Sequence, residues 1–161
     1  MRHRLTRVLP YGPDQLFDLV GDVERYPEFV RWVTSLRTWN RRDEAGVVTL
    51  DAEAEVKFAI VRERFSTRVR LDRPARAIDV SLLSGPFRRL SNRWRFSPHP
   101  HGAELSFEID FEFGSRLLAA LLAANLERAA ARLISCFEDR ACALYGPPLA
   151  APSPVLPEAN T

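Results

Sequence analysis

The sequence predicts an α+β fold in which a curved antiparallel sheet is covered by one long C-terminal helix. Three observations carry this. Between residues 36 and 113 apolar side chains recur at every second position. Turn residues cut that stretch at DEAG (43–46), DRPAR (72–76), SGP (84–86) and PHPHG (98–102). From Ser115, an N-cap, to Tyr145 the spacing is helical, and Gly146 and Pro147 stop it in the expected order.

The remaining elements follow in chain order. Residues 2–9 alternate as a strand does. Gly12 and Pro13 open a short helix whose inward stripe is Leu16, Phe17 and Val20. DVERYPEFVRW (22–32) reads as a turn and a second short helix restarted at Pro27. One set of strand positions is apolar: Val48, Leu50, Ala52, Ala54, Val56 and Phe58; Phe65, Val69 and Leu71; Ile78, Val80 and Leu82; Leu90, Trp94 and Phe96; Leu105, Phe107, Ile109, Phe111 and Phe113. The opposite set is charged, and its sign alternates between neighbouring strands: Asp51, Glu53 and Glu55 are followed by Arg62, Arg64, Arg68 and Arg70. Arg89, Arg93 and Arg95 are likewise followed by Glu104, Glu108, Asp110 and Glu112. Keeping the inward residues inward places Arg93 opposite Glu108 and Arg89 opposite Glu112.

The apolar face needs a cover, and the helix stripe Leu118, Leu122, Leu126, Ala129, Leu133, Phe137 and Leu144 supplies it. The sheet contributes long aromatics, while Ala119, Ala123, Ala129 and Ala130 on the helix are small. Two outcomes are open: the aromatics fill the space over the alanines, or an apolar, dry gap remains. The tail from residue 147 holds five of the twelve prolines and is expected to be disordered.

Composition excludes several function classes. The chain has 161 residues, enough for one domain that buries about 70% of its unfolded surface. It sets 23 Lys and Arg against 21 Asp and Glu, a net charge of +2 that argues weakly for a nucleic-acid partner. The arginines of SGPFRRLSNRWRF have acidic neighbours in the expected register, so no direct nucleic-acid contact is expected through that face. Cys136 and Cys142 are six apart on one helix, point to different faces and cannot bridge. MRHRLTRVLP does not resemble a secretory signal, and LLAALLAANL (117–126) is half a membrane span, so a reduced cytosolic compartment is expected. GxSxG, P-loop and dinucleotide patterns are absent. His99 and His101 flank Pro100 in a turn without an acidic or cysteine cluster, which predicts no metal.

DVERYPEFVRW, RERFSTRVRLDRP (62–74), SGPFRRLSNRWRF (84–96), IDFEFGSRLL (109–118) and FEDRACALYG (137–146) together resemble the bacterial and mitochondrial coenzyme Q-binding proteins. These belong to the START-like superfamily, which also contains polyketide cyclases and plant pollen allergens. The resemblance runs from about residue 2 to 146, in order. It implies a helix-grip fold: a seven-stranded antiparallel sheet wrapped around the C-terminal helix, two short helices after the first strand, and an elongated cavity between. It also implies a non-catalytic carrier of ubiquinone or a related isoprenoid quinone, supporting respiratory electron transport, cytoplasmic and peripheral to the inner membrane. Respiratory-chain or quinone-biosynthesis proteins would then be its partners, with no cofactor beyond the bound quinone.

By position, Tyr26, Pro27, Phe29 and Trp32 match the family's YPEF and tryptophan motif and are expected near the cavity mouth. Gly85, Pro86 and Phe87 match its GPF turn, with Phe87 shielding the cavity. Arg31 departs from the family, where proline commonly precedes the tryptophan. The expected lining is completed by Val56, Phe65, Val80, Leu82, Trp94, Phe111, Leu118, Leu122, Leu126 and Leu133. Glu63 turns inward by parity with Phe65; it is either a polar contact to the quinone or an edge carboxylate paired with an arginine. Transient membrane contact is expected through exposed aromatics near Phe29, Trp32 or Phe87. Two alternatives remain. A cyclase or aromatase would need polar groups inside, of which Glu63 and Thr67 are the inward candidates. A ribosome-associated toxin of the same family would block subunit joining.

Overall fold

A computed structural model describes residues 1–58, 61–123 and 126–147. The strands are β1 (Arg2–Leu9), β2 (Val33–Glu44), β3 (Val47–Phe58), β4 (Val61–Asp72), β5 (Ala77–Ser84), β6 (Phe87–His99) and β7 (Gly102–Phe113). They form one antiparallel sheet in the order β1-β7-β6-β5-β4-β3-β2. The helices are α1 (Pro13–Gly21), α2 (Arg116–Ala123) and α3 (Leu126–Tyr145), with a 3₁₀ segment at Val23–Glu28. The alternation predicts the antiparallel sheet and the terminal helix, and the family resemblance implies their helix-grip arrangement with seven strands; both are observed.

Local chemistry accounts for three of the connections. Pro13 begins α1, where its missing N–H costs nothing, and Gln15 Oε1 accepts the Gly12 N–H at 3.0 Å. The β2–β3 turn is Ala45-Gly46, both with positive φ (52° and 80°), the backbone twist that suits a two-residue hairpin. At Gly85 (φ 149°) an added Cβ would stand 2.5 Å from Phe65 Cβ, so only glycine lets the β5–β6 turn lie against β4.

The second short helix is not α-helical. Val23–Glu28 is a 3₁₀ segment with Pro27 inside its last turn, and the chain is already in β2 at Val33. Proline donates no backbone hydrogen bond and disfavours α geometry at the residue before it, so only a single short 3₁₀ stretch forms. The expected thirty-residue helix is described as two segments, α2 and α3. Its buried stripe is Ala130, Ile134, Phe137 and Ala141, and Leu144 is exposed. Leu126, Ala129 and Leu133 are half-buried. The expected tail lies beyond Pro147, outside the described residues.

The expected register is observed: Arg93 stands opposite Glu108 and Arg89 opposite Glu112. Arg89 reaches Glu112 at 2.8 Å. Arg93 instead meets Asp79 on β5 at 3.3 Å, while Glu108 is met by Arg2 at 3.7 Å. The hydrophobic core centres on Phe137, whose ring is 5.3 Å from those of Tyr26, Phe29 and Trp94.

Candidate ligand-binding site

The inner face of the sheet can be followed row by row through the strand register. Leu9 and Ala103, then Phe96 and Leu105, are fully buried. In the next row Leu71, Ile78, Trp94 and Phe107 are also buried. Here α1 packs on β5, β6 and β7, and α3 packs on α1 and β1.

Beyond that line burial is mixed: Ala52 and Thr67 on β3 and β4 and the pair Leu90 and Phe111 on β6 and β7 are buried, while several of their neighbours are not. In the row Leu50, Val69, Val80, Asn92, Ile109, His3, the last four are only half-buried. Further along, Ala54 and Phe65 on β3 and β4, Leu82 on β5, Phe87 and Phe113 on β6 and β7, and the facing pair Val56 and Glu63 are half-buried as well. From the helices, Leu118, Leu126 and Leu133 have the same intermediate burial. One end of the inner face is therefore closed, and the other is apolar and incompletely covered. The pairing of β5 with β6 also ends at Ser81 and Ser91, short of the turn at that end.

The expected lining residues divide accordingly. Val56, Phe65, Leu82 and Phe87 are half-buried strand residues of the incompletely covered end, Val80 and Leu133 pack against the buried core, and Leu118 and Leu126 are half-buried on α2 and α3. Phe87 joins two of its neighbours, 5.5 Å from Phe65 and 4.8 Å from Phe113. Pro86 is in the turn beside them, and its carbonyl accepts the Gly114 N–H at 2.9 Å. Trp94 and Phe111 are both buried, Trp94 in the closed rows and Phe111 among the half-buried residues of the other end, 5.2 Å from the Phe113 ring. Leu122 and Phe58 lie outside the described side chains.

Tyr26 and Phe29 correct the expectation of a mouth. Both pack on Phe137, and Arg140 lies 5.3 Å over the Phe29 ring while held by Glu28 at 2.9 Å. The Tyr26 hydroxyl donates to the Val20 carbonyl, and burial pushes its pKa well above the usual tyrosine value. These aromatics fill the closed end because the 3₁₀ segment turns them under α3. Pro27 and Trp32 are half-buried beside them, so none of Phe29, Trp32 and Phe87 is the exposed aromatic expected for membrane contact.

Three polar groups share the inner face of the less covered end. Glu63, opposite Val56, has no ion pair among the described residues, so the arginine-paired reading of this carboxylate does not hold. Asn92 accepts the Trp94 indole N–H through Oδ1 at 3.1 Å, which leaves its amide N–H₂ as the free donor. His3 ends the same row, opposite Ile109. Sequence reading missed Asn92 and His3 because each interrupts an apolar series; the signal was Asn92's position two residues from both Leu90 and Trp94. Thr67, the other polar inward candidate, is buried.

The outer face is charged and largely self-satisfied. A depression of about 480 Å³ there is lined by Arg2, Arg68, Arg70 and Arg93 together with Asp79 and Glu108. Arg68 is held by Asp51 at 3.0 Å and Arg70 by Asp72 at 3.2 Å. Elsewhere, burial and the nearby Asp139 carboxylate raise the Cys136 thiol pKa. His99 and His101 lie together in the β6–β7 turn, where His99 Nδ1 accepts the His101 N–H at 3.1 Å. Among the described residues no group of three His, Cys, Asp or Glu is placed to hold a metal ion, and no helix is long and apolar enough to cross a membrane.

Comparison with known proteins agrees with this architecture. Residues 9–138 match the family described as polyketide cyclase / dehydrase and lipid transport. The chain is 34% identical over 139 residues to a ribosome association toxin RatA of Rickettsia prowazekii, covering 84% of this chain and 92% of that protein. It is 31% identical over 146 residues to the mitochondrial coenzyme Q-binding protein COQ10 homolog B of Xenopus laevis, covering 88% of this chain and 58% of that protein. Among solved structures, the solution structure of the 18 kDa protein CC1736 from Caulobacter crescentus matches with a TM-score of 0.79 and 58% identity, covering 91% of this chain and 99% of that one. The Zhui aromatase/cyclase from Streptomyces shares the fold alone, at a TM-score of 0.71 and 17% identity over 88% of this chain and 92% of that one. The chain belongs to the polyketide cyclase / dehydrase and lipid transport family.

Proposed function

We propose that the protein binds an isoprenoid quinone such as ubiquinone at the incompletely covered end of its inner face and carries it without transforming it. The observation that carries this reading is the uneven burial along one apolar face: the rows through Trp94 and Phe96 are closed, whereas Val80, Leu82, Phe65, Phe87 and Val56 are half-buried, with Ala52, Leu90 and Phe111 buried among them. A polyprenyl tail gains about 0.8 kcal/mol for each CH₂ removed from water, so an unfilled apolar surface is what such a tail requires. The Asn92 amide N–H₂ supplies a donor for a quinone carbonyl, and Glu63, when protonated, a second. The named coenzyme Q-binding relative supports the ligand class. In this reading the protein works in the cytoplasm at the inner-membrane surface and hands its ligand to respiratory or quinone-synthesising proteins.

The test is a titration of the purified chain with ubiquinones of increasing tail length, followed by tryptophan fluorescence. Saturable quenching whose affinity rises with tail length is expected; absence of saturable binding for every isoprenoid quinone overturns the reading.

A second reading, association with the ribosome, is favoured by the relatives from Rickettsia prowazekii and Pseudomonas aeruginosa, both named ribosome association toxin, at 34% and 33% identity. Co-sedimentation with large ribosomal subunits at physiological salt supports it, and a wholly unbound protein removes it. A cyclase or aromatase reading draws on the family name, and the polar groups the inner face offers it include Glu63, Thr67, Asn92, His3 and Thr38.

A further inference from the structure

The β5–β6 turn and the connection from β7 to α2 are held together at the less covered end by the Gly114 N–H to Pro86 carbonyl bond of 2.9 Å. Around this seam the surface is unlike the rest of the molecule. Leu117 is 71% exposed, the most exposed of the large apolar side chains in the described residues, and Leu83 is 44% exposed. Two exposed arginines flank them. Arg116 has no ion pair among the described residues, and Arg88 meets only Glu112, at 3.6 Å, a carboxylate that Arg89 already holds at 2.8 Å. Between the two arginines a pocket of about 290 Å³ is walled by Phe111, Phe113, Ala119 and Met1. Exposed leucines bracketed by under-neutralised arginines are what an anionic lipid surface complements: acyl chains take the leucines, phosphates the arginines. The patch also continues inward through Phe113 and Phe87 to the half-buried apolar residues.

We infer that this end docks on an anionic bilayer, with Leu83 and Leu117 entering the acyl layer and Arg88 and Arg116 meeting lipid phosphates. The purpose of the docking rests on the proposed quinone-carrying function; the docking itself is measurable without any quinone.

The experiment is co-sedimentation of the full chain with phosphatidylcholine vesicles and with phosphatidylcholine–phosphatidylglycerol vesicles, at low and high salt. Binding to the anionic vesicles alone, weakened by salt, is expected. Leu117→Asp and Arg116→Glu should each lower vesicle affinity by about tenfold or more, since both the apolar and the electrostatic contributions are needed for stable attachment. Leu144→Asp, at an exposed leucine near the C-terminal end of α3, should leave binding unchanged. Equal binding by wild type and Leu117→Asp overturns the inference, as does a wild type that ignores anionic vesicles but sediments with ribosomal subunits through the same arginines. Ubiquinone titration in solution separates the two ideas: a Leu117→Asp variant that loses vesicle binding but keeps quinone binding supports docking through this patch, and a wild type that binds anionic vesicles but takes up no quinone sinks only the carrier function.

Discussion

Asn92 shows what one residue contributes when it interrupts a pattern. Its Oδ1 is committed to the Trp94 indole, so its amide hydrogens face the half-buried row between Val80 and Ile109. Asn92→Asp keeps the acceptor for Trp94 and replaces the donor with a negative charge. It is expected to weaken ubiquinone affinity about tenfold, the loss of one hydrogen bond plus repulsion from the quinone oxygen, while the thermal midpoint changes little. An unchanged affinity would remove Asn92 from the site. Asp51 acts through stability. The hydrogen bond from Arg68, then that from Asn40, holds its carboxyl below the usual aspartate value. Because the folded-state pKa is the lower one, the stabilisation is present above the unfolded value of about 3.9 and is lost as pH falls through the folded value. Urea denaturation from pH 7 to pH 3 should therefore show Asp51→Asn less stable than wild type at neutral pH and converging with it in acid. A constant difference across that range would contradict the assignment.

At the scale of elements, alternation was the most legible property. Keeping the apolar residues inward places Arg89 against Glu112 and Arg93 against Glu108, because a slip of one residue would turn every apolar side chain to water. The β3–β4 connection carried no such mark: it falls at Ala59-Ile60, residues without turn chemistry, outside the described part of the chain. Nor did the helix stripe read correctly at Leu144, since helical periodicity cannot say where a helix runs off the edge of its sheet. Phe137 is where α3 is anchored, 1% exposed and touching Tyr26, Phe29 and Trp94. Phe137→Ala should cost about 3–5 kcal/mol in chemical denaturation, because the surrounding aromatics are held by the 3₁₀ segment with its C-cap on one side and by β6 on the other and cannot collapse together. A loss below about 1 kcal/mol would mean that the closed end is not the stabilising part of the core.

For the whole molecule, the architecture was legible and the division of its interior was not. Parity identifies which residues face inward, but whether they are covered depends on where α2 and α3 lie over the sheet, and sequence alone left a filled and an unfilled interior equally open. The YPEF motif illustrates the difference: its aromatics looked like a mouth and instead close the core, while the exposed apolar side chains, Leu83 and Leu117, come from segments that looked like ordinary strand and helix. The central claim is that the less covered apolar end holds a long isoprenoid ligand. Mass spectrometry of the organic extract from freshly purified protein tests it most directly. An isoprenoid quinone recovered in near-stoichiometric amount is the predicted result, and an extract free of isoprenoid lipids, from a folded protein that also takes up none when it is added, is the result that would contradict it.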